Sequence, residues 1–265
     1  MRIWSTLCSL FTIVSIVPMA HGETMKTAAY GAWKSPVSAA SLTESAIRLG
    51  EIRLDGGDLY WLEGRPEEGG RQVIVRRMAD GTTRDVTPPG FNVRSRVHEY
   101  GGGAYVVAGG VVYFSNFADQ KLYRQAPGAA PRALTPAGYC YADCVISARL
   151  NAAICVREDH TKKGEVDNTL VAVDLTAGGA GRVLVSGTDF VSSPRLAPDG
   201  RRLAWVSWNH PNMPWDTTSL WVADLDQQGG LKNRRLVAGG KAESVIQPQW
   251  SADGALYFLS DRSNW

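Results

Sequence analysis

The residues best suited to chemistry form the run from Arg96 to Tyr100, in which charged and aromatic side chains precede three glycines. A carboxylate such as that of Glu99 binds a protonated amine through a charge-assisted hydrogen bond. Loops carry such side chains into cavities. Arg96, His98, Glu99 and Tyr100 are therefore candidate substrate-binding residues. The pattern favours a structural alternative, in which Arg96 and Glu99 tie neighbouring elements together and the glycines permit a tight bend.

A second charged run extends from Arg157 to His160 and precedes a polar loop from Thr161 to Asn168. Its adjacent carboxylates, Glu158 and Asp159, are further candidates for binding a substrate amine. Charge clusters at the ends of strands are usually exposed, so the pattern favours a solvated loop here.

The segment from Trp208 to Asp216 contains two tryptophans, two prolines and one histidine. Prolines stiffen a loop and indole rings supply apolar contact area, which favours packing within or between domains. Trp208, His210 and Trp215 are thus candidates for docking another domain. The histidines at 98, 160 and 210 are isolated along the sequence, so we expect no metal site and no cofactor.

The composition excludes some partners and favours a β fold. A net charge of +2 provides no field that would attract nucleic acid or an anionic membrane. The 28 glycines, 9 tryptophans and 9 tyrosines are typical of short strands joined by tight turns.

A loose repeat sets the architecture. Short apolar runs follow turns rich in Gly, Asp or Asn, and their centres recur at spacings of 53, 41, 50 and 53 residues, at Tyr60, Tyr113, Ile154, Ala204 and Tyr257. Two further strands complete each unit, which is the four-stranded blade of a β-propeller. The sequence predicts an all-β propeller with about four and a half blades. Since the last blade stops after two strands, we expect an incomplete ring.

The cysteines leave two interpretations. Cys8 belongs to the leader, and the remaining three form an odd set that cannot close into a disulfide framework. We favour buried free thiols, with a bridge from Cys140 or Cys144 to Cys155 as the alternative. No second pair of ligands follows at motif distance, so zinc is not expected.

The first 24 residues resemble a signal peptide. Arg2 precedes an apolar stretch from Ile3 to Val17, and small residues follow at Ala20 and Gly22. A stretch of about 15 residues is too short for a comfortable membrane span, which needs about 20. Export to the periplasm or medium is one expectation, and a true start at Met25 with a cytoplasmic protein is the other. Residues 25–50 would then lead into a propeller domain over residues 51–265.

Several longer phrases carry a family resemblance over Tyr30 to Trp265. The chain resembles the N-terminal propeller of bacterial prolyl oligopeptidase-type serine peptidases, and more closely the acylaminoacyl-peptidase and dipeptidyl-peptidase group. The phrases are Tyr30 to Pro36, Tyr60 to Pro66, Arg96 to Gly103 and Trp208 to Asp216. Two Pro-rich repeats, Ser193 to Gly200 and Gln247 to Gly254, are similar to TolB-type blades.

The resemblance implies a propeller of usually seven blades capping an α/β-hydrolase domain with a Ser, Asp, His triad. This sequence contains no Gly-x-Ser-x-Gly motif, so no catalytic residue is assigned and the chain alone is expected to be inactive. We expect a domain that gates access of short peptides to a partnering hydrolase domain. The alternatives are a free-standing TolB-like interaction propeller and a metal-dependent propeller hydrolase such as a lactonase.

Overall fold

The computed structural model describes residues 27–35, 37, 38, 41 and 46–264. The predicted signal peptide and Cys8 lie outside these residues. Residues 46–264 form one unit built from strands, and residues 27–35 contain a turn in which the Ala32 N–H donates to the Ala29 carbonyl oxygen. None of the helices in the described ranges has the length and apolar character needed to cross a membrane.

The strands of the described residues form five antiparallel sheets in chain order. The first sheet contains β1 (Arg48–Asp55), β2 (Asp58–Arg65), β3 (Arg71–Arg77) and β4 (Thr83–Asp85). The second contains β5 (Tyr105–Ala108), β6 (Val111–Ser115), β7 (Leu122–Gln125) and β8 (Arg132–Ala133). The third contains β9 (Tyr139–Ser147), β10 (Ala152–Asp159), β11 (Asp167–Asp174) and β12 (Gly178–Val185).

The fourth sheet contains β13 (Phe190–Leu196), β14 (Arg202–Trp208), β15 (Ser219–Leu225) and β16 (Leu231–Gly239). The fifth has two strands, β17 (Val245–Trp250) and β18 (Leu256–Ser260). A single turn of 3-10 helix, Pro66–Glu68, follows β2. Each four-stranded sheet pairs its strands in sequence order, as the repeat predicts for a propeller blade.

The sheets pack face to face around a common axis. The first strands of successive sheets contact one another, β1 with β5, β5 with β9, β9 with β13 and β13 with β17, so these strands lie innermost. A separate apolar cluster fills each space between neighbouring sheets. For example, Ile154 of the third sheet and Trp205 of the fourth share one cluster, and both are fully buried. The all-β propeller prediction is confirmed.

A bulge recurs on four of the five innermost strands. At Glu51, Asp143, Ser193 and Gln247 the backbone is left-handed, with φ between 48° and 54°, where the pairing with the second strand shifts register. The bulge turns two carboxylates towards the start of β5: the Glu51 carboxylate accepts the Ala104 N–H at 3.0 Å, and Asp143 Oδ1 accepts the Gly103 N–H at 2.6 Å. These bonds join three blades at the axis.

The cysteine prediction is wrong for two of the three residues. Cys144 and Cys155 form a disulfide, while Cys140 is a buried free thiol. Cys155 lies opposite the β9 bulge, where the partner strand presents an extra residue, and this places Cys144 against it. Spacing along the chain does not show the bulge, so the sequence favoured free thiols.

The outer faces of the first and fifth sheets keep exposed apolar side chains. These are Leu49, Ile52 and Leu54 on β1, Ile246 on β17, and Tyr257 and Leu259 on β18. An exposed apolar stripe of this kind marks a surface suited to packing against another element.

Candidate functional site

All of the predicted site residues lie at one end of the blades. In an antiparallel blade, the start of the first strand and the end of the second meet at the same end. This end carries the loops that follow β2, β6, β10 and β14 and those that enter β5, β9, β13 and β17; we call it the loop end. The opposite hairpin end carries turns such as that between β1 and β2. The candidate residues at the loop end are Arg96, His98, Glu99, Tyr100, Glu158, Asp159, Trp208, His210 and Trp215.

The loop before β5 adopts an unusual backbone. His98 and Glu99 are both left-handed, with φ of 55° and 65°. Such residues are uncommon outside glycine and need support from their surroundings. A Cβ added to Gly103 would lie 2.7 Å from Asp143 Oδ1, so this glycine permits the close approach of the loop to β9.

The carboxylate of Glu158 supports this loop. Glu158 is buried, and its Oε1 accepts the backbone N–H of His98 at 2.6 Å. Its Oε2 lies 2.9 Å from Nε2 of His160, which donates when it carries the proton. A buried carboxylate needs such partners. Glu158 therefore positions the loop through Oε1, while Oε2 faces the His160 ring.

A cavity of about 680 Å³ opens beside the loop. Three carboxylates, those of Glu99, Asp119 and Glu158, line it together with one guanidinium, that of Arg96. Asp119 is engaged, since it accepts the Tyr123 hydroxyl at 2.7 Å. Glu99 is exposed, and within the described ranges no side chain or backbone group forms a hydrogen bond or ion pair with its carboxylate. Glu99 is thus the carboxylate of this cavity that has no partner among the described residues.

His98 belongs to an aromatic cluster beneath the loop. Its ring packs edge-on against Phe190 and Trp208, at centroid distances of 5.5 Å, and these two rings stack on each other. Burial lowers the pKa of His98, although the charges of Glu158 and Asp143 oppose this. The neutral ring places Nε2 at 3.1 Å from the Asn168 side-chain oxygen, to which it donates. His98 thus anchors the loop.

Tyr100 and Asp159 lie apart from the free carboxylate. The Tyr100 ring is exposed and its hydroxyl lies 3.5 Å from Nδ1 of His98. Asp159 lies next to Glu158 on β10, so its side chain points to the opposite face, where it accepts the backbone N–H and the hydroxyl of Thr161. The structure does not bring Asp159 together with Glu99.

The three docking candidates occupy different surroundings. Trp208 is buried in the His98 cluster. His210 is exposed and lies 3.2 Å from the Asp189 carboxylate. Trp215 is also exposed and lines a hollow with Ile246 and Leu259 of the fifth sheet. Only Trp215 thus joins an exposed apolar surface among the three.

Sequence reasoning missed Cys140, Asn168 and Phe190 at this end. Cys140 stands directly opposite Glu158 across β9 and β10. Strand alternation alone places His160 on the same face as Glu158. To predict that Cys140 joins them, the register between β9 and β10 would also have to be known.

Solved structures are similar to this chain over most of its length. A puromycin hydrolase variant complexed with PGG is 38% identical, with a TM-score of 0.82, over 90% of this chain and 40% of its own. A puromycin-hydrolyzing peptidase of Mycobacterium tuberculosis is 38% identical, with a TM-score of 0.80, over 90% of this chain and 39% of its own. The chain thus spans about two fifths of the length of these peptidases.

More distant structures share the fold alone. The prolyl oligopeptidase B of Galerina marginata is 12% identical with a TM-score of 0.55, over 82% of this chain and 35% of its own. A putative TolB of Agrobacterium tumefaciens is 14% identical with a TM-score of 0.50, over 77% of this chain and 70% of its own. No family model and no curated protein matches the chain.

Proposed function

We propose, from the finding that this chain is an N-terminal propeller of the prolyl oligopeptidase-type peptidases, that its loop end binds the free amino terminus of a short peptide. The observation that carries the proposal is the Glu99 carboxylate, unpaired among the described residues in a cavity where carboxylates outnumber cations. An ammonium group is the natural partner of such a carboxylate.

The loop geometry fits this role. The left-handed backbone at His98 and Glu99 turns the Glu99 side chain into the cavity, and the buried Glu158 holds that turn. Because the support lies in the core, the backbone that carries Glu99 is held in place before substrate arrives. Arg96 lines the same cavity and is placed to bind a peptide carbonyl or carboxylate.

Bond cleavage would take place in a partnering α/β-hydrolase domain. Peptide hydrolysis needs a nucleophile, a base and an oxyanion hole, and this sequence contains no Gly-x-Ser-x-Gly motif. We propose that the propeller selects short peptides by size and by their free amine, and that it is inactive alone. The similarity to puromycin-hydrolyzing peptidases supports this assignment.

The hydrolase domain would dock on the loop end. The exposed indole of Trp215, beside Ile246 and Leu259, offers an apolar contact at the same end of the blades as the acidic cavity.

Peptide titration of the purified chain tests the proposal. We expect Gly-Gly-Gly to shift the NMR signals of the loop before β5, and its N-acetylated form to bind at least about 10-fold more weakly, because acetylation removes the charge. Glu99→Gln should abolish this preference. Glu67→Gln is the matched control, since Glu67 is exposed and lies outside the cavity.

Equal binding of the two peptides by the native chain would overturn the amine-binding proposal and leave the interaction propeller as the better interpretation. Release of product from a peptide substrate by the purified chain would overturn the claim that the propeller is inactive alone.

A further inference from the structure

Three side chains with metal-binding atoms meet on one wall of the acidic cavity. The Cys140 sulfur, a carboxylate oxygen of Glu158 and a ring nitrogen of His160 all lie within 4.8 Å of one another. Each comes from a different residue type, and none of the three belongs to the Cys144 to Cys155 disulfide. Cys140 is the free cysteine among the described residues.

The backbone fixes this arrangement. Glu158 pairs directly with Cys140 across β9 and β10, and His160 follows two positions later on the same face. The backbone N–H of His160 donates to the Gly138 carbonyl oxygen at 2.9 Å, and this bond continues the pairing of the two strands past the end of β10. The three side chains therefore project from neighbouring positions on one face of the same strand pair.

The donor set selects the class of ion. Thiolate, imidazole and carboxylate together suit Zn²⁺, whose tetrahedral sites often combine three protein ligands with one water. Mg²⁺ and Ca²⁺ prefer oxygen ligands alone. The wall opens onto the cavity, which provides room for a water in the fourth position.

The surroundings favour a cation. Glu99 and Asp119 line the same cavity and add negative charge, against one guanidinium from Arg96. The His98 N–H holds Oε1 of Glu158 and leaves Oε2 directed at His160, as an outer hydrogen bond commonly orients a metal-binding carboxylate. We propose that Cys140, Glu158 and His160 form a binding site for a thiophilic divalent cation, with Zn²⁺ as the preferred ion.

Binding has a proton balance. Burial, together with the charge of Glu158, raises the pKa of the Cys140 thiol to about 11. The thiol is therefore protonated at neutral pH, and the sulfur–metal bond forms as the S–H proton leaves to solvent.

Cobalt titration tests the site, because tetrahedral Co²⁺ reports thiolate ligation through a charge-transfer absorption band. The full chain is used in a Cys8→Ser background, purified without reductant, so that Cys140 is the only free thiol. We expect one equivalent of Co²⁺ to give the thiolate band, and one equivalent of Zn²⁺ to remove it. Cys140→Ser should abolish the band, and His160→Gln should weaken binding by more than 10-fold.

His210→Gln is the matched control, since His210 also lies beside a carboxylate but outside the cavity, and it should bind as the parent does. Circular dichroism of each metal-free variant checks folding, and His160 is partly exposed, so its variant tests the site if Cys140→Ser does not fold. No thiolate band in the parent, or equal binding by parent and His160→Gln, would overturn the proposal. Neither outcome bears on amine binding by Glu99.

Discussion

The buried carboxylate of Glu158 accepts the backbone N–H of His98 at 2.6 Å, across 60 residues of sequence. This bond joins the third blade to the loop that enters the second. It holds the left-handed turn at His98 and Glu99, and thereby aims the free Glu99 carboxylate into the cavity. The order of the candidate site therefore depends on the Oε1 atom of a buried side chain in the neighbouring blade.

Removal of this support should loosen the loop. We expect Glu158→Ala to lower the free energy of unfolding by about 1–3 kcal/mol, because it leaves the partly buried His98 N–H without an acceptor. Amide hydrogen exchange should rise over residues 96–103 in particular. Glu158→Gln keeps an acceptor oxygen and should show a smaller loss. If the amide exchange rates of this loop were the same in the native chain and in Glu158→Ala, the supporting role of Glu158 would be contradicted.

The His98 ring should make stability depend on pH. Its pKa is lowered by burial, so the unfolded chain binds a proton at a higher pH than the folded chain does. The contribution of His98 to the free energy of unfolding should therefore be fully present above about pH 6.5 and should be lost as the pH falls below it. Urea unfolding measured between pH 7.5 and 5 checks this. His98→Gln should flatten the dependence of stability on pH, and an equal slope in the native chain and in His98→Gln would contradict the assignment.

Gly103→Ala should destabilise the axis. The added Cβ would lie 2.7 Å from Asp143 Oδ1, and relief of the overlap would disturb the bond between that oxygen and the Gly103 N–H. We expect a loss of about 1–3 kcal/mol in chemical unfolding. Gly50→Ala is the matched control, since a Cβ there meets no atom within 4 Å. Equal stability of the two variants would contradict this prediction, because it would show that Asp143 on β9 can move away from the added Cβ with no loss of stability.

The Cys144 to Cys155 disulfide should stabilise the third blade. It closes a short loop, since the two residues are 11 apart, and a chain-entropy estimate gives about 3 kcal/mol. We expect dithiothreitol to lower the melting temperature of the native chain. The double variant Cys144→Ser with Cys155→Ser should melt at the lower temperature and should not respond to the reductant. If dithiothreitol also lowered the melting temperature of the double variant, its effect could not be assigned to the Cys144 to Cys155 disulfide.

The sequence predicts the blades because Asp-Gly or Gly-Gly turns mark four of the five hairpins, Asn151 marks the turn of the third, and apolar runs follow them. It does not predict the bulges at Glu51 and Asp143, because these left-handed residues are not glycines and leave no turn signature. For the same reason the sequence left the Cys144 to Cys155 bridge as the alternative to free thiols.

The candidate site was predictable in part. The charged runs identified Arg96, Glu99 and Glu158, which the structure places around one cavity. The separation of Asp159 from Glu158 follows from strand alternation, which applies once the end of β10 is known. The meeting of Cys140 with His160 depends on the register of β9, which is fixed by tertiary pairing.

Because the two ends of the blades are separate, labels can be attached at the hairpin end without covering the loop end. The turn at Gly56 and Gly57, like that at Asp253 and Gly254, lies at the hairpin end, away from Glu99 and Cys140. A fluorophore or an immobilisation tag inserted at either turn would leave peptide and metal free to approach the loop end. A chain immobilised through such a tag would present its loop end to the solution in a surface-based binding assay.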